Sequence, residues 1–227
     1  MEIKDVLKKY DKELTQIKKM IEKSSSIAII GHINPDGDCI GSQLGLYSAL
    51  KKIGKNVSVI NEGVFKGIYK SNFQHLFISE IDKNYDLYIV LDTANKERIG
   101  NLYKKIDIEK TIVIDHHITN NNFGKANWVS DNFISASEMV FLLILKMEID
   151  ITHSDGIQYL LNGLLSDNGF FQHIRQQKSL SLLISHKMIE MGADSKKSYD
   201  LMFCNNSLDT IKLFSIALSR ITPEMNG

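Results

Sequence analysis

The chain has 227 residues, 43% of them hydrophobic, enough to bury a sizeable core in one large domain or in a domain with a further fragment. Its 27 basic and 27 acidic residues cancel. That excludes the broad basic footprint of a protein that grips long nucleic acid or a membrane surface, but it leaves room for a small anionic substrate in a local pocket. Two cysteines far apart, Cys39 and Cys204, give neither a disulfide framework nor a zinc spacing. No apolar run approaches the roughly 20 residues of a membrane-spanning helix, so the expectation is a soluble, cytoplasmic chain with reduced thiols.

Ile3, Val6, Leu7, Tyr10, Leu14, Ile17 and Ile21 recur at helical spacing and predict a first helix, ended by the serines at 24–26. Residues 27–30 are a short apolar run leading into Gly31 and His32, the pattern of a strand buried on both faces. A helix over 40–53 closed by Gly54 and a strand over 57–60 follow, whereas 62–84 carry no clear period. Strands over 87–91 and 111–114 run into Asp92 and into Asp115, His116 and His117. Strands alternating with helices imply parallel pairing through crossover connections, and the fold class is α/β, a parallel β-sheet flanked by helices. Ser135 and Glu138 have the spacing of a capping box, in which each side chain satisfies the other's free backbone donor, opening a helix through Leu145. Further helices are predicted over 153–165, stopping before Ser166 and Asp167, and over 179–191 with Gly192 as its cap. The segment 196–221 is helical in period with a break at 205–207, and Pro223 ends the last helix.

The polar residues collect at the C-terminal ends of the predicted strands, where an open α/β sheet binds its ligands. His32, Asn34, Asp36 and Asp38 follow the first strand, Asp92 ends another, and Asp115, His116 and His117 end a third. Asp167 follows a helix. A single Asp at a strand end is often only the cap of the next helix, and Asp36-Gly37-Asp38 alone could be a turn. Acids and histidines at three independent strand ends are harder to explain as caps. Asp36, Asp38, Asp92, Asp115 and Asp167 in one crevice would repel one another unless divalent cations sit between them. Carboxylate with imidazole suits manganese, magnesium, cobalt or iron, and Cys39, expected to point away from Asp38, argues against a zinc–thiolate site.

Together these residues resemble the four motifs of the DHH phosphoesterases, in order: His32 through Asp38 with Gly41 and Ser42 behind, Asp92 with Thr93, Asp115-His116-His117, and Asp167 within Ser166-Asp167-Asn168-Gly169-Phe170-Phe171. The resemblance runs from about residue 24 to 221. Within that superfamily the fuller first motif is similar to that of bacterial nano-RNases that also act as pAp phosphatases (pAp is adenosine 3′,5′-bisphosphate). The resemblance implies a DHH-type, Rossmann-like catalytic domain over 1–192 and a helical linker over 193–222. It also implies that 223–227 begin a C-terminal substrate-binding domain whose glycine- and histidine-rich motif does not occur here, as in a shortened chain or, as the alternative, a natural single-domain form.

By the same resemblance His32, Asp36 and Asp92 would hold one cation. Asp38, Asp92, His116 and Asp167 would hold the other, with Asp92 bridging. His117 would face the scissile phosphate, Asn34 would touch substrate, and Asp115 would orient a neighbouring histidine. Two cations, Mn2+ first and Mg2+ or Co2+ as alternatives, would activate a bridging hydroxide for in-line attack. The implied substrates are short oligoribonucleotides and pAp-type nucleotides, not long duplexes or membranes, and relatives are often homodimers. Linear or cyclic dinucleotides and pyrophosphate are the alternative substrates, and a non-catalytic metal- or nucleotide-binding module is the alternative outside enzymology. Asn168, where Thr is common, and residues 171–177, where relatives have small hydroxyl residues, depart from the pattern and bear on substrate preference.

Overall fold

The computed structural model describes residues 2–205 and 207–222, Gln177 by its backbone alone. Five strands form one parallel sheet: β1 (Ser26–Ile30), β2 (Asn56–Ile60), β3 (Leu87–Leu91), β4 (Thr111–Asp115) and β5 (Ala126–Val129), in the order β2-β1-β3-β4-β5. Ile27 pairs with Val57 on one side and Leu87 on the other, and Leu91 pairs with Ile114. β3 and β4 are buried along their whole length, as a doubly covered parallel strand must be. Alternate residues serve two cores. Ile27, Ile29, Ile89, Leu91, Ile112 and Ile114 face the helices, while Ala28, Ile30, Tyr88, Val90 and Val113 pack under the segment carrying Ile99, Leu102 and Ile106.

The helical face carries α1 (Ile3–Lys9), α2 (Asp11–Lys23), α3 (Gly37–Lys52), α5 (Ala136–Lys146) and α6 (Asp155–Asp167), and α7 (Leu180–Glu190) packs onto α6. α4 (Gly67–Phe73) lies in the stretch without period. α8 (Ser195–Phe203) and α9 (Leu208–Leu218) end the described chain. No helix among the described residues is long and apolar enough to cross a membrane.

Where sequence and structure differ, the reasons are local. The first helix is two, broken at Tyr10, whose hydroxyl bonds Ser130 Oγ and Asn132 Nδ2 (each 2.9 Å) and whose ring packs on Trp128 and Phe133. β5 has no apolar run to announce it: its four residues alternate, and only its β4-facing register gives it away. α3 starts at Gly37, because Asp36 Oδ1 accepts from Cys39 N (3.0 Å) and caps the helix three residues before the apolar pattern begins. α6 runs through Asp167 instead of stopping before Ser166. The capping box at α5 is only half formed: Ser135 Oγ accepts from Glu138 N (3.2 Å), but Glu138 Oε2 accepts from Ile134 N (2.9 Å), one residue earlier than the reciprocal pattern requires. Gly192 has φ +104 after α7, as a C-terminal cap should. α8 and α9 flank a break at 205–207, of which Asn206 lies outside the described residues, as do Pro223 and 224–227.

α3 and α6 cross at glycines. A Cβ on Gly41 would stand 2.5 Å from the Tyr159 carbonyl oxygen and 2.8 Å from Gly163 Cα, both main-chain atoms that cannot swing aside. This approach sets Asp38 at the start of α3 beside Asp167 at the end of α6. Gly41→Ala is therefore expected to lower the unfolding free energy by about 1–3 kcal/mol in urea titration, through overpacking. A variant as stable as the parent would show that the helices part without cost.

Candidate metal centre and active site

The strand order reverses direction between β1 and β3, which opens a crevice at their C-terminal ends. His32 follows β1 and Asp92 follows β3, so both stand at that point. His32 is buried, its carbonyl accepting from Asn61 Nδ2 (3.1 Å). Asp92 adopts a left-handed backbone, φ 52, while its N–H still donates to Ile114 O (3.1 Å). Asp tolerates that conformation better than most residues, and here it turns the carboxylate in among the histidines. Asp92 Oδ2 lies 3.3 Å from His32 Nε2, and Oδ1 lies 3.3 Å from His116 Nε2 and 3.7 Å from His117 Nδ1. One oxygen thus faces each side of the crevice.

Asp36 reaches His32 Nε2 at 3.6 Å with the oxygen it does not use as a cap. Across the crevice, His116 Nε2 is 3.3 Å from Asp167 Oδ2 and 4.0 Å from Asp38 Oδ2. Asp38 is fully buried, and its oxygens accept from Ala136 N (2.6 Å) and Ser137 N (2.9 Å), the first donors of α5. A helix N-terminus so placed stabilises the carboxylate. His117 is held differently: its Nδ1 lies 2.7 Å from Asp115 Oδ1, while Asp115 Oδ2 accepts from Asn120 Nδ2 (2.7 Å), which also donates to Thr93 O (3.0 Å). An ionised carboxylate only accepts, so Nδ1 carries the proton and Nε2 is left for the crevice. Asp115 thus holds His117 and not His116.

All the residues singled out from the sequence as ligands converge: His32, Asp36, Asp38, Asp92, His116 and Asp167, with Asp115 and His117 beside them. Asn34 is exposed in the bend after β1, with no side-chain hydrogen bond among the described residues. Sequence reasoning did not single out Asn120, Asn61 or the α5 amides. The step of five residues from Asp115 to Asn120 carries no recognisable pattern, and backbone donors leave none at all. Cys39 turns its thiol to Gln43 Oε1 (3.5 Å), yet Sγ also lies within 4.8 Å of ligand atoms of His32 and Asp92. Burial pushes that thiol up to about 11, against the pull of His32.

The donor set fits divalent cations. His116 Nε2 and Asp92 Oδ1 are both buried and, although 3.3 Å apart, neither has a hydrogen-bond partner among the described residues. Each has the orientation of a ligand aimed at a shared point. Without cations the cluster keeps protons instead. Burial, with Asp38 and Asp92 beside it, pushes Asp167 up to about 9, and burial with Asp92 pushes Asp38 up to about 7. Burial pulls the two imidazoles down, but Asp36 and Asp92 carry His32 up to about 12, and Asp92, Asp38 and Asp167 carry His116 up to about 9. Asp92 moves the other way: burial opposes ionisation, but His116 and His32 hold it well below the usual carboxylate range. Among the described residues, three groups of His, Asp and Cys have ligand atoms within 4.8 Å of one another, and Asp92 belongs to two of them.

Residues 26–165 match the DHH family, N-terminal domain. The chain belongs to the DHH family. It is 25% identical over 221 residues to the bifunctional oligoribonuclease and PAP phosphatase NrnA of Bacillus subtilis, covering 94% of this chain and 68% of that one. It is 30% identical over 162 residues to the NrnA of the same description from Thermus thermophilus, covering 70% of this chain and 48% of that one. The solved structure of an exopolyphosphatase-related protein from Bacteroides fragilis shares the fold, with a TM-score of 0.81 at 24% identity over 93% of this chain and 66% of that one. The chain thus spans from about half to about two thirds of the length of these relatives. Membership places this DHH domain among the metal-dependent hydrolases of phosphoester bonds. Asp167 lies just beyond the matched segment, yet it closes the same cluster.

The raised groups set a stability profile. Asp38, Asp167, His116 and His32 bind more protons folded than unfolded, so their stabilisation is complete below their ordinary values and fades as pH rises through about 7 to 9 for the first three and on to about 12 for His32. Asp92, held low, stabilises the fold throughout this range and loses that contribution only in strong acid. The metal-stripped protein should therefore lose melting temperature between about pH 6 and pH 9. Manganese binds the deprotonated ligands and should raise the melting temperature more at the alkaline end. A manganese shift of equal size at both pH values would contradict the ligand set.

Proposed function

We propose that this chain, loaded with two divalent cations, hydrolyses short oligoribonucleotides and nucleotide 3′-phosphates such as pAp. The observation that carries this reading is the Asp92 carboxylate, one oxygen toward His32 and the other toward His116, with Asp36 beside the first histidine and Asp38 and Asp167 beside the second. In this reading His32, Asp36 and Asp92 hold one cation, and Asp38, Asp92, His116 and Asp167 hold the other. Manganese is the leading candidate, with magnesium or cobalt as alternatives. Held there, the cations would supply an activated water and would offset charge on the phosphoryl oxygens. The substrate class draws support from the relatives described as oligoribonuclease and PAP phosphatase, and from a net charge of zero, which suits a short anion.

The protein's own groups do the positioning. Asp92, fixed by its backbone, keeps the two halves of the ligand set in one geometry. Asp38, bound to the α5 amides, cannot swing away from His116. His117 gives Nδ1–H to Asp115, so a protonated ring has Nε2–H to donate to a phosphoryl oxygen or to the leaving oxygen, and Asp115 stabilises that charge. Asn34 stands at the exposed rim as a substrate contact. The proposed organisation is a catalytic domain over 1–192, a helical linker over 193–222 containing α8 and α9, and the start of a substrate-binding domain at 223–227, outside the described residues. A cytoplasmic location and a homodimer complete the reading.

Manganese-loaded protein should release phosphate from pAp and trim RNAs of two to five nucleotides. Activity confined to pyrophosphate or to linear or cyclic dinucleotides would replace the substrate and keep the chemistry. Asp92→Ala should abolish turnover, and near-normal activity in that variant would sink the assignment. His117→Ala should keep both cations by metal analysis and lose about 100- to 1,000-fold in kcat. Asp115→Asn should lose about 10- to 100-fold, again with metal retained. Loss of metal from His117→Ala would contradict its role.

A further inference from the structure

The cavity that opens beside the metal centre has a basic wall. It measures about 370 Å³ and is lined by His116, Phe133, Ile134, His173, Arg175 and Lys178. His116 belongs to the ligand set. His173, Arg175 and Lys178 come from the segment joining α6 to α7, where the sequence departs from the family pattern. In the rest of the crevice Asp36, Asp38, Asp92 and Asp167 stand with histidines alone, whereas this wall brings an arginine and a lysine beside His173 within six residues.

The loop that presents them is built to hold its shape. Gly169, Phe170 and Phe171 take φ of 59, 54 and 72, a run that non-glycine residues adopt only when their surroundings fix it. Asn168, fully buried, supplies part of that fixing: its Oδ1 accepts from Phe171 N (2.8 Å) and its carbonyl accepts from His173 N (3.0 Å). At the far end Lys178 Nζ donates to the carbonyls of Asp131 and of Phe133 (2.8 Å to the latter), pinning the loop to the connection before α5. Arg175 lies between these anchors. Among the described residues its guanidinium has no hydrogen bond and no ion pair, although carboxylates crowd the neighbouring crevice. An exposed arginine kept clear of acids, on the wall of a cavity shared with a metal-ligand histidine, is placed for an anion from solution.

We propose that Arg175, with His173 beside it, forms a second anion subsite that holds a further phosphate of the substrate while the scissile phosphate lies at the metal centre. This rests on the reading of that centre as a phosphoester hydrolase. A guanidinium meets two phosphate oxygens at once, a match that an ammonium does not offer. Lys178 is a positioning residue, since its ammonium is engaged by carbonyls. A cavity of this size takes a nucleotide rather than a strand. The substrate class is a nucleotide or very short oligonucleotide with a second, 5′-terminal phosphate, preferred over its counterpart lacking that group.

The test compares adenosine 3′,5′-bisphosphate with adenosine 3′-monophosphate on the manganese-loaded full chain, as wild type, Arg175→Ala and Arg175→Lys. The ratio of kcat/KM for bisphosphate over monophosphate should fall about 10- to 100-fold in Arg175→Ala, mainly through KM, and recover in part in Arg175→Lys. An unchanged ratio overturns the subsite. Calorimetric titration with the bisphosphate gives an arm independent of turnover, and affinity should fall by a similar factor in Arg175→Ala. If the wild type turns over neither compound, the reading of pAp as substrate fails, and the subsite is then judged on binding alone. Weaker bisphosphate binding by Arg175→Ala supports it, and equal binding overturns it.

Discussion

Carboxylates repel at close range, and Asp36, Asp38, Asp92, Asp115 and Asp167 crowd one crevice. The architecture around them answers that repulsion residue by residue. Asp38 is met by two backbone donors at the start of α5. Asp115 is met by His117 and Asn120. Asp36 gives one oxygen to the cap of α3. Asp92 and Asp167 are left with imidazoles alone; there burial and the neighbouring carboxylates keep a proton on Asp167, and the carboxylates keep one on His116 against burial, both well above their ordinary range. The two acids without amide donors are those that face the middle of the ligand set, where a cation would do most to relieve the charge.

This arrangement asks much of the fold. The parallel sheet supplies strand ends that meet at one crevice, and the reversal of strand order keeps β1 and β3 adjacent while their connections diverge. The helices supply the rest through close approach. Gly41 lets α3 lie against α6 near Gly163, and a Cβ on Gly163 would run into Ser137 Oγ and come within 3.1 Å of Asp38 Oδ1. Packing and chemistry are therefore one problem at this crossing. The glycines that allow three helices to meet also leave room for the carboxylate that ties them together.

Much of this was legible in the sequence, for physical reasons. A strand covered on both faces must be apolar throughout, so β1, β3 and β4 stood out, and the acids and histidines that follow them could be assigned to one crevice. The helix over Asp155–Asp167 was recognisable by period, but its last turn was not, because Ser166 and Asp167 are polar for the sake of the site. β5 escaped because a four-residue edge strand alternates too briefly to be read. The break at Tyr10 escaped because it is enforced from across the domain by Ser130 and Asn132. Asn120 escaped because an amide that props a carboxylate has no signature of its own. In each case the missing information was a contact that a local pattern cannot hold.

The left-handed backbone at Asp92 also limits what this position can become. Asn and Gly adopt that conformation readily, while a β-branched residue would strain the end of β3 before its side chain mattered. Asn would keep the shape and the reach of the carboxylate and remove only its charge. A domain of this kind that drifted away from chemistry could therefore accept Asp92→Asn with its architecture intact. It would look folded and complete while having lost the one group that both halves of the ligand set share.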